Sequence, residues 1–311
     1  MTSERVDWDR AGFYLTHDHR IPAEAIRLNK VFIGPFSTSP DGDHPSGMKG
    51  LYGAPTSEGM IELGRVKGRD NRPFVDSTDP IGMKALIFAN PNIHPSMKSD
   101  VLECLYRFLS LASESYPIGV FVPASNDAIS MGPYRTGKTN IGGETVNTYG
   151  MMICGPSKEM TNVLGFLGTP KRIVLATSLN YSHDPNTGGS GHNFTGEAVQ
   201  DFRQRAPKDA TIAVQMPEKF IAGSGVSTTV VYVNGSGEAR LVREGSLSGE
   251  EVITHLEQAD LDYKGRLQDA KRLSPYKYRH GTALRGVRIM REMMLIRKVR
   301  REGVVYIPHA K

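Results

Sequence analysis

The sequence predicts an α/β fold: a mixed-sheet core with βαβ units, preceded by a Gly/Pro-rich N-terminal arm and followed by a basic C-terminal helix. Three observations lead there. From Met83 onward, apolar runs of strand length alternate with stretches of helical spacing. Residues 34–82 hold 15 glycines and prolines in 49 positions, a density that breaks helices and that buried strands tolerate poorly. From Tyr263 to the end there are 14 Lys/Arg against three acids, a net of +11, while residues 1–262 carry 24 against 30, a net of −6. The expected division is 1–82 as arm, 83–262 as core and 263–311 as basic segment.

Within the arm, "KVFI" and "MIELGRV" read as short strands of a hairpin, in a loop-rich region long enough to grip another subunit. "MKALIFAN" then reads as a strand. "SMKSDVLECLYRFLSLASES" follows as a helix behind a Ser96 cap, with Val101, Leu102, Leu105, Phe108, Leu109 and Ala112 at helical spacing. "IGVFVPA" closes this strand–helix–strand unit, which implies parallel pairing with a right-handed crossover. Further on, "SKEMTNVLGFLG" and "TGEAVQDFRQRA" read as helices, "KRIVLATSL" and "ATIAVQM" as strands. A hairpin is expected around Asn234-Gly235, and Ser248 with Glu251 form a capping box. The last two elements are the helix "TALRGVRIMREMMLIRKVRR" and the strand "GVVYIP".

Composition narrows the function classes. The 311 residues, 39% hydrophobic and 23% charged, describe a folded chain. No run of 18 apolar residues predicts a membrane span, and the polar, acidic start is unlike a signal peptide. Two cysteines, Cys104 and Cys154, make no disulfide framework, so a reducing cytoplasmic setting is expected, in a host cell or virion if the chain is viral. Both cysteines read as core residues. No cofactor and no catalytic residue is assigned.

"GPYRTGKT" fits the phosphate-loop pattern, with Gly132, Gly137, Lys138 and Thr139 in the phosphate-binding positions. The stretch resembles the loop of guanylate-binding proteins, in which Tyr-Arg-Thr precedes Gly-Lys-Ser, and this would imply nucleotide binding. Its flanks disagree. Seven residues separate it from the preceding strand, and Gly142 and Gly143 fall where a helix should begin, at about 2 kcal/mol against alanine. An exposed turn is the better expectation. "SLNYSHDPNTGGSGHNFTGEAVQDF" has better topology, since Gly188, Gly189 and Gly191 lie between a strand and a helix. That glycine string resembles the phosphate loop of the tubulin family, although a ten-residue insert follows the strand.

His17 and His19, with His183, Asp184 and His192, are the residues from which a metal site would be built, although isolated His pairs are mostly surface residues. The basic segment places Lys271, Arg272, Lys277, Arg279, Arg285, Arg288, Arg291, Arg297, Lys298, Arg300 and Arg301 where they can meet phosphates or an acidic neighbour. "GTALRGVR" distantly resembles the glycine-rich loop of CRISPR-associated RAMP proteins, which contacts guide RNA, but in that family the loop lies near the N-terminus.

With no catalytic motif in a fitting context, the leading expectation is a self-assembling structural protein, such as a virus- or phage-particle component. It would be a homo-oligomer contacting subunits or nucleic acid through the arm and the basic segment, with no membrane partner. Two alternatives stand beside it. One is a nucleotide- or phosphate-binding α/β enzyme using Gly188–Gly191 or Gly132–Thr139. The other is a non-specific nucleic-acid-binding protein.

Overall fold

A computed structural model describes residues 6–36, 48–69, 72–114, 117–154, 158–168, 172–179, 195–217, 228–267, 270–272 and 282–310. In chain order the elements begin β1 (Gly12–Thr16), α1 (Arg20–Arg27), β2 (Val31–Phe36), β3 (Met48–Gly53), α2 (Ser57–Lys67), β4 (Val75–Thr78), α3 (Met83–Phe88) and α4 (Ser99–Ala112). Then come β5 (Ile118–Pro123), α5 (Asn126–Ser130), β6 (Thr136–Ile141), β7 (Glu144–Ile153), α6 (Lys158–Leu167), β8 (Val174–Ser178), α7 (Thr195–Arg205) and β9 (Thr211–Gln215). The rest are β10 (Thr229–Val233), β11 (Glu238–Glu244), α8 (Gly249–Gln258), β12 (Asp262–Tyr263), β13 (Lys271–Arg272), α9 (Thr282–Glu302) and β14 (Val304–Ile307).

The fold is α/β with one large mixed sheet, ordered β12-β11-β10-β5-β7-β4-β8-β3-β2-β9-β1-β14, with β6 added on β7 and β13 on β11. β1 and β2 both run parallel to β9 and flank it, so β1–α1–β2 is a parallel crossover that spans one strand. Boundaries at 82 and 262 are not seams in this sheet. Strands from all three segments pair with one another, and β2, β3 and β4 of the expected arm lie in its interior.

Alternation along the strands sorts the core onto two faces. In the β8-β3-β2-β9-β1 half, Phe13, Leu15, Val31, Ile33 and Leu51 face α2, α7 and α9, where Leu63, Phe202, Ile296 and Val299 meet them. On the other side Phe32, Tyr52, Ala176 and Ala213 pack under α1 and α6. The β4-β7-β5-β10-β11 half is different. Ile118, Val120, Val122, Val231 and Leu241 face α3, α4 and α8. The alternate residues of the same strands, Val75, Phe121 and Gly150, line a cavity of about 740 Å³ on the opposite face.

Local sequence explains most elements. α4 buries Val101, Leu105, Phe108, Leu109 and Ala112, as its spacing predicts, but its N-cap is Lys98 rather than Ser96. α8 has the expected box, with Ser248 Oγ accepting from the Glu251 amide and Glu251 accepting from the Ser248 amide. The β10–β11 hairpin turns at Asn234, whose Oδ1 accepts from the amides of Ser236 and Glu238.

Two expected strands are helices. "MKALIF" forms α3 because Met83, Leu86 and Ile87 sit at i, i+3 and i+4 and bury one face. The expected βαβ unit therefore does not form, and β5 pairs parallel with β10 and antiparallel with β7. "MIELGRV" lies in α2, which forms despite its glycines because both ends are capped. Thr56 accepts from the Gly59 amide at 3.0 Å, and Gly68 takes the left-handed conformation at φ 61°. Interior glycines there serve close packing: a Cβ on Gly59 would stand 2.4 Å from the Ala54 carbonyl oxygen.

α9 is tied to the body by a buried carboxylate. Glu292 accepts from the amides of Thr195 and Gly196 at 3.0 and 2.8 Å, closing the N-terminus of α7. Glu292→Ala leaves those amides without their acceptor, Thr195 being fully buried. The expected loss is about 1–3 kcal/mol, read as a lower urea midpoint at unchanged m-value.

Candidate anion-binding site

Two cations, Lys67 and Arg69, stand at the end of α2, just before the segment that enters the wall of the cavity lined by Val75, Phe121 and Gly150. Schellman-type bonds close that helix: the Arg69 amide donates to the Gly64 carbonyl and the Gly68 amide to that of Arg65. The left-handed turn at Gly68 sends Lys67 and Arg69 inward on either side of it. Lys67 is 1% exposed, and its Nζ donates to the Ser178 carbonyl at the end of β8. Burial first, and then the charge of Arg69, holds its pKa well below the usual lysine value.

Arg69 is lowered to about 10, first by burial and then by Arg72, with Tyr134 opposing. Its Nη1 donates to the Pro73 carbonyl at 3.1 Å, its guanidinium lies 5.2 Å from the centre of the Phe74 ring, and its buried Nε has no acceptor. Among the described residues no carboxylate pairs with Arg69. Buried charges are otherwise paired, so this cation has the electrostatics of an anion site.

Arg72, Pro73 and Phe74 continue from Arg69 into the wall of the 740 Å³ cavity. Phe74, Val75 and Phe121 form its apolar part, Thr136, Asn147 and Thr148 its polar part, and the exposed Lys138 and Arg72 its cationic edge. Phe74 stacks on Tyr134 at 5.5 Å, and the Tyr134 hydroxyl donates to the Arg69 carbonyl at 3.0 Å. Next in the chain, Arg135 donates to Asp76 at 2.6 Å in a pair almost wholly buried. The Tyr149 hydroxyl donates to the other oxygen of Asp76, and Asn90 donates to the Tyr149 oxygen at 2.8 Å. Burial raises the Asp76 pKa, although Arg135 and the Tyr149 bond oppose it.

Gly132–Thr139 therefore forms no phosphate loop. Gly132 begins a turn, Gly137, Lys138 and Thr139 lie in β6 paired with β7, and Gly142-Gly143 is the two-residue hairpin turn at φ 61° and 93°. Thr145 and Val146, poor for a helix, belong to the strand. Lys138 does reach the candidate site, as a strand residue on its rim.

Gly188, Gly189, Gly191, His183, Asp184 and His192 lie outside the described residues, as do Lys277 and Arg279. What is described of the glycine-rich connection is its entry at Ser178, which Lys67 holds, and its exit at Thr195, where Glu292 already occupies the helix amides. His17 contacts the carbonyls of Met216 and Ile296. Among the described residues no three His, Cys, Asp or Glu side chains group as a metal site.

In the basic segment, Lys271 and Arg272 form β13 beside β11. Arg285 falls in α9, Arg288 pairs with Glu197 across to α7, and Lys298 and Arg301 reach Glu302. Arg300 is exposed, as are Arg291 and Arg297, and the latter two have no ion pair among the described residues. Cys154 is buried, its thiol pushed up to about 12 mainly by burial, and Cys104 is half-buried against the α4 core. Among the described residues no helix is long and apolar enough to cross a membrane.

Sequence reasoning missed Lys67 and Arg69. Their signal was the run Lys67-Gly68-Arg69, a helix stop with basic residues on both sides, hidden when "MIELGRV" was read as a strand.

No protein-family model and no curated protein matches the chain. Among solved structures it is similar to a hypothetical protein, smu.1377c of Streptococcus mutans UA159, at 14% identity and a TM-score of 0.49. The match covers 84% of this chain and 98% of that one.

Arg135→Met removes the partner of a buried carboxylate and is expected to cost about 3–5 kcal/mol at pH 8. Burial already raises Asp76, so its charged form is the disfavoured one, and the penalty grows as pH rises from the unfolded value through the folded one. Urea titrations should find the variant closer to wild type at pH 5 than at pH 8.

Proposed function

We propose that this chain binds a phosphate-bearing small molecule, a nucleotide by the character of the cavity, on the uncovered face of the sheet. The observation that carries this is Arg69: a half-buried side chain on the cavity residue Phe74, whose buried Nε has no described acceptor, following buried Lys67 in the chain and with no described carboxylate to neutralise it. A phosphate beside Arg69 supplies the missing negative charge in a charge-assisted bond. The wall of Phe74, Val75 and Phe121 suits the apolar faces of a base, while Arg72 and Lys138 at the edge attract the anion. This is the nucleotide- or phosphate-binding reading, moved from the phosphate-loop letters to the end of α2. Charge segregation supports the particle-component reading, but α9 packs Ile296 and Val299 into its own chain's core and spends Arg288 on Glu197.

Thermal melts with ATP, GTP and inorganic pyrophosphate provide the test. A ligand at 100 times its Kd adds about 2.7 kcal/mol. Arg69→Met should abolish that gain yet melt no lower than wild type without ligand, because it removes an unneutralised, half-buried charge. A gain that survives Arg69→Met, or no gain from any of the three anions, refutes the reading. The anion favours charged Lys67 and Arg69, both depressed, so binding takes up protons and affinity falls as pH rises toward and through about 10. Calorimetry in buffers of different ionisation enthalpy reads that uptake.

A further inference from the structure

α9 has two apolar sides. Ile296 and Val299 are buried against the sheet, whereas Val287, Met290, Met293 and Met294 are 40–63% exposed. Val287, Met290 and Met294 recur at i, i+3 and i+7, the spacing of a helix–helix seam. Val287 and Met294, with Val199 of α7 and Leu295, line a groove of about 890 Å³ between α7 and α9, and the exposed Met290 continues their stripe beside it. An uncovered stripe of this length marks an interaction surface, and methionine adapts its shape to a partner's side chains.

Charge selects the occupant. With Val287, Met290 and Met294 as seam positions, Arg291, Lys298 and Arg300 fall on the flanks, while Glu292 points back to cap α7. A second copy of α9 laid antiparallel would set Arg291 against Lys298, and a parallel copy offers no acid to either, so self-pairing is disfavoured. Nucleic acid would satisfy the cations but leave the methionine stripe without an apolar partner. A helix with acidic flanks satisfies both.

We propose that the α7–α9 groove docks a short acidic amphipathic helix of a partner protein. Its apolar residues rest on Val287, Met290 and Met294, and its flanking Asp and Glu meet Arg291 and Lys298. This is helix-in-groove recognition with its register set by charge. It uses none of the residues of the anion site and stands independently of it.

Fluorescence anisotropy on the full chain tests it, using a labelled peptide of about three helical turns, roughly 11 residues, with Leu at seam spacing and Glu on both flanks. The controls are the same peptide with Lys on the flanks and a labelled oligo-dT strand. The Glu peptide should bind at least about tenfold more tightly than the Lys peptide and weaken with salt. Met294→Glu, at a position 63% exposed and so neutral for folding, should weaken it by about tenfold or more, and Arg291→Glu likewise. Arg69→Met should leave it unchanged. Three outcomes overturn the proposal: equal binding of the two peptides, oligo-dT binding that Met294→Glu abolishes, or a concentration-dependent dimer that Met294→Glu dissolves.

Discussion

The buried pair between Arg135 and Asp76 fixes the working half of this molecule. It pins the turn that follows α5 to β4, and with that turn comes Tyr134. Tyr134 packs against Gly64 of α2, where a Cβ would stand 2.9 Å from the ring, and bonds the Arg69 carbonyl. The end of α2 is thereby held where Lys67 meets β8 and Arg69 meets Phe74. A buried pair of this kind is weak as a net source of stability and strong as a constraint, because breaking one side strands the other.

The sheet is asymmetric for a related reason. One half is sandwiched by helices with an apolar cluster on each face, whereas the other has its apolar cluster on one face and a mixed lining on the other. Glycine at 119 and 150 keeps that second face low: at Gly150 a Cβ would meet Val75 at 2.8 Å and Phe121 at 3.2 Å. Such a face, edged by the exposed cations Arg72 and Lys138, is the basis of the proposed anion site.

Charge segregation takes a different form in three dimensions than along the chain. The basic segment divides: part joins the sheet edge as β13, and part becomes a helix whose inner side is apolar and carboxylate-bearing. Arg291 and Arg297 have no ion pair among the described residues and lie beside an apolar stripe, so cations and methionines form one combined surface. The proposed helix docking rests on their juxtaposition.

Sequence by itself determined the elements with clear periodicity or turn chemistry: α4, α6, α7, α8 with its Ser248–Glu251 box, the β10–β11 hairpin, α9 and β14. It determined the α/β class and that Gly132–Thr139 is no phosphate loop, since the Gly142-Gly143 pair that breaks a helix there makes a hairpin turn. It misread α2 and α3, because six to eleven residues of mixed pattern fit either period until a cap or a packing partner chooses. Tertiary structure alone decided that β2, β3 and β4 join the sheet interior and that Lys67 and Arg69 are desolvated. The physical reason is that burial arises from strands far apart in the chain, and local pattern carries no record of those neighbours.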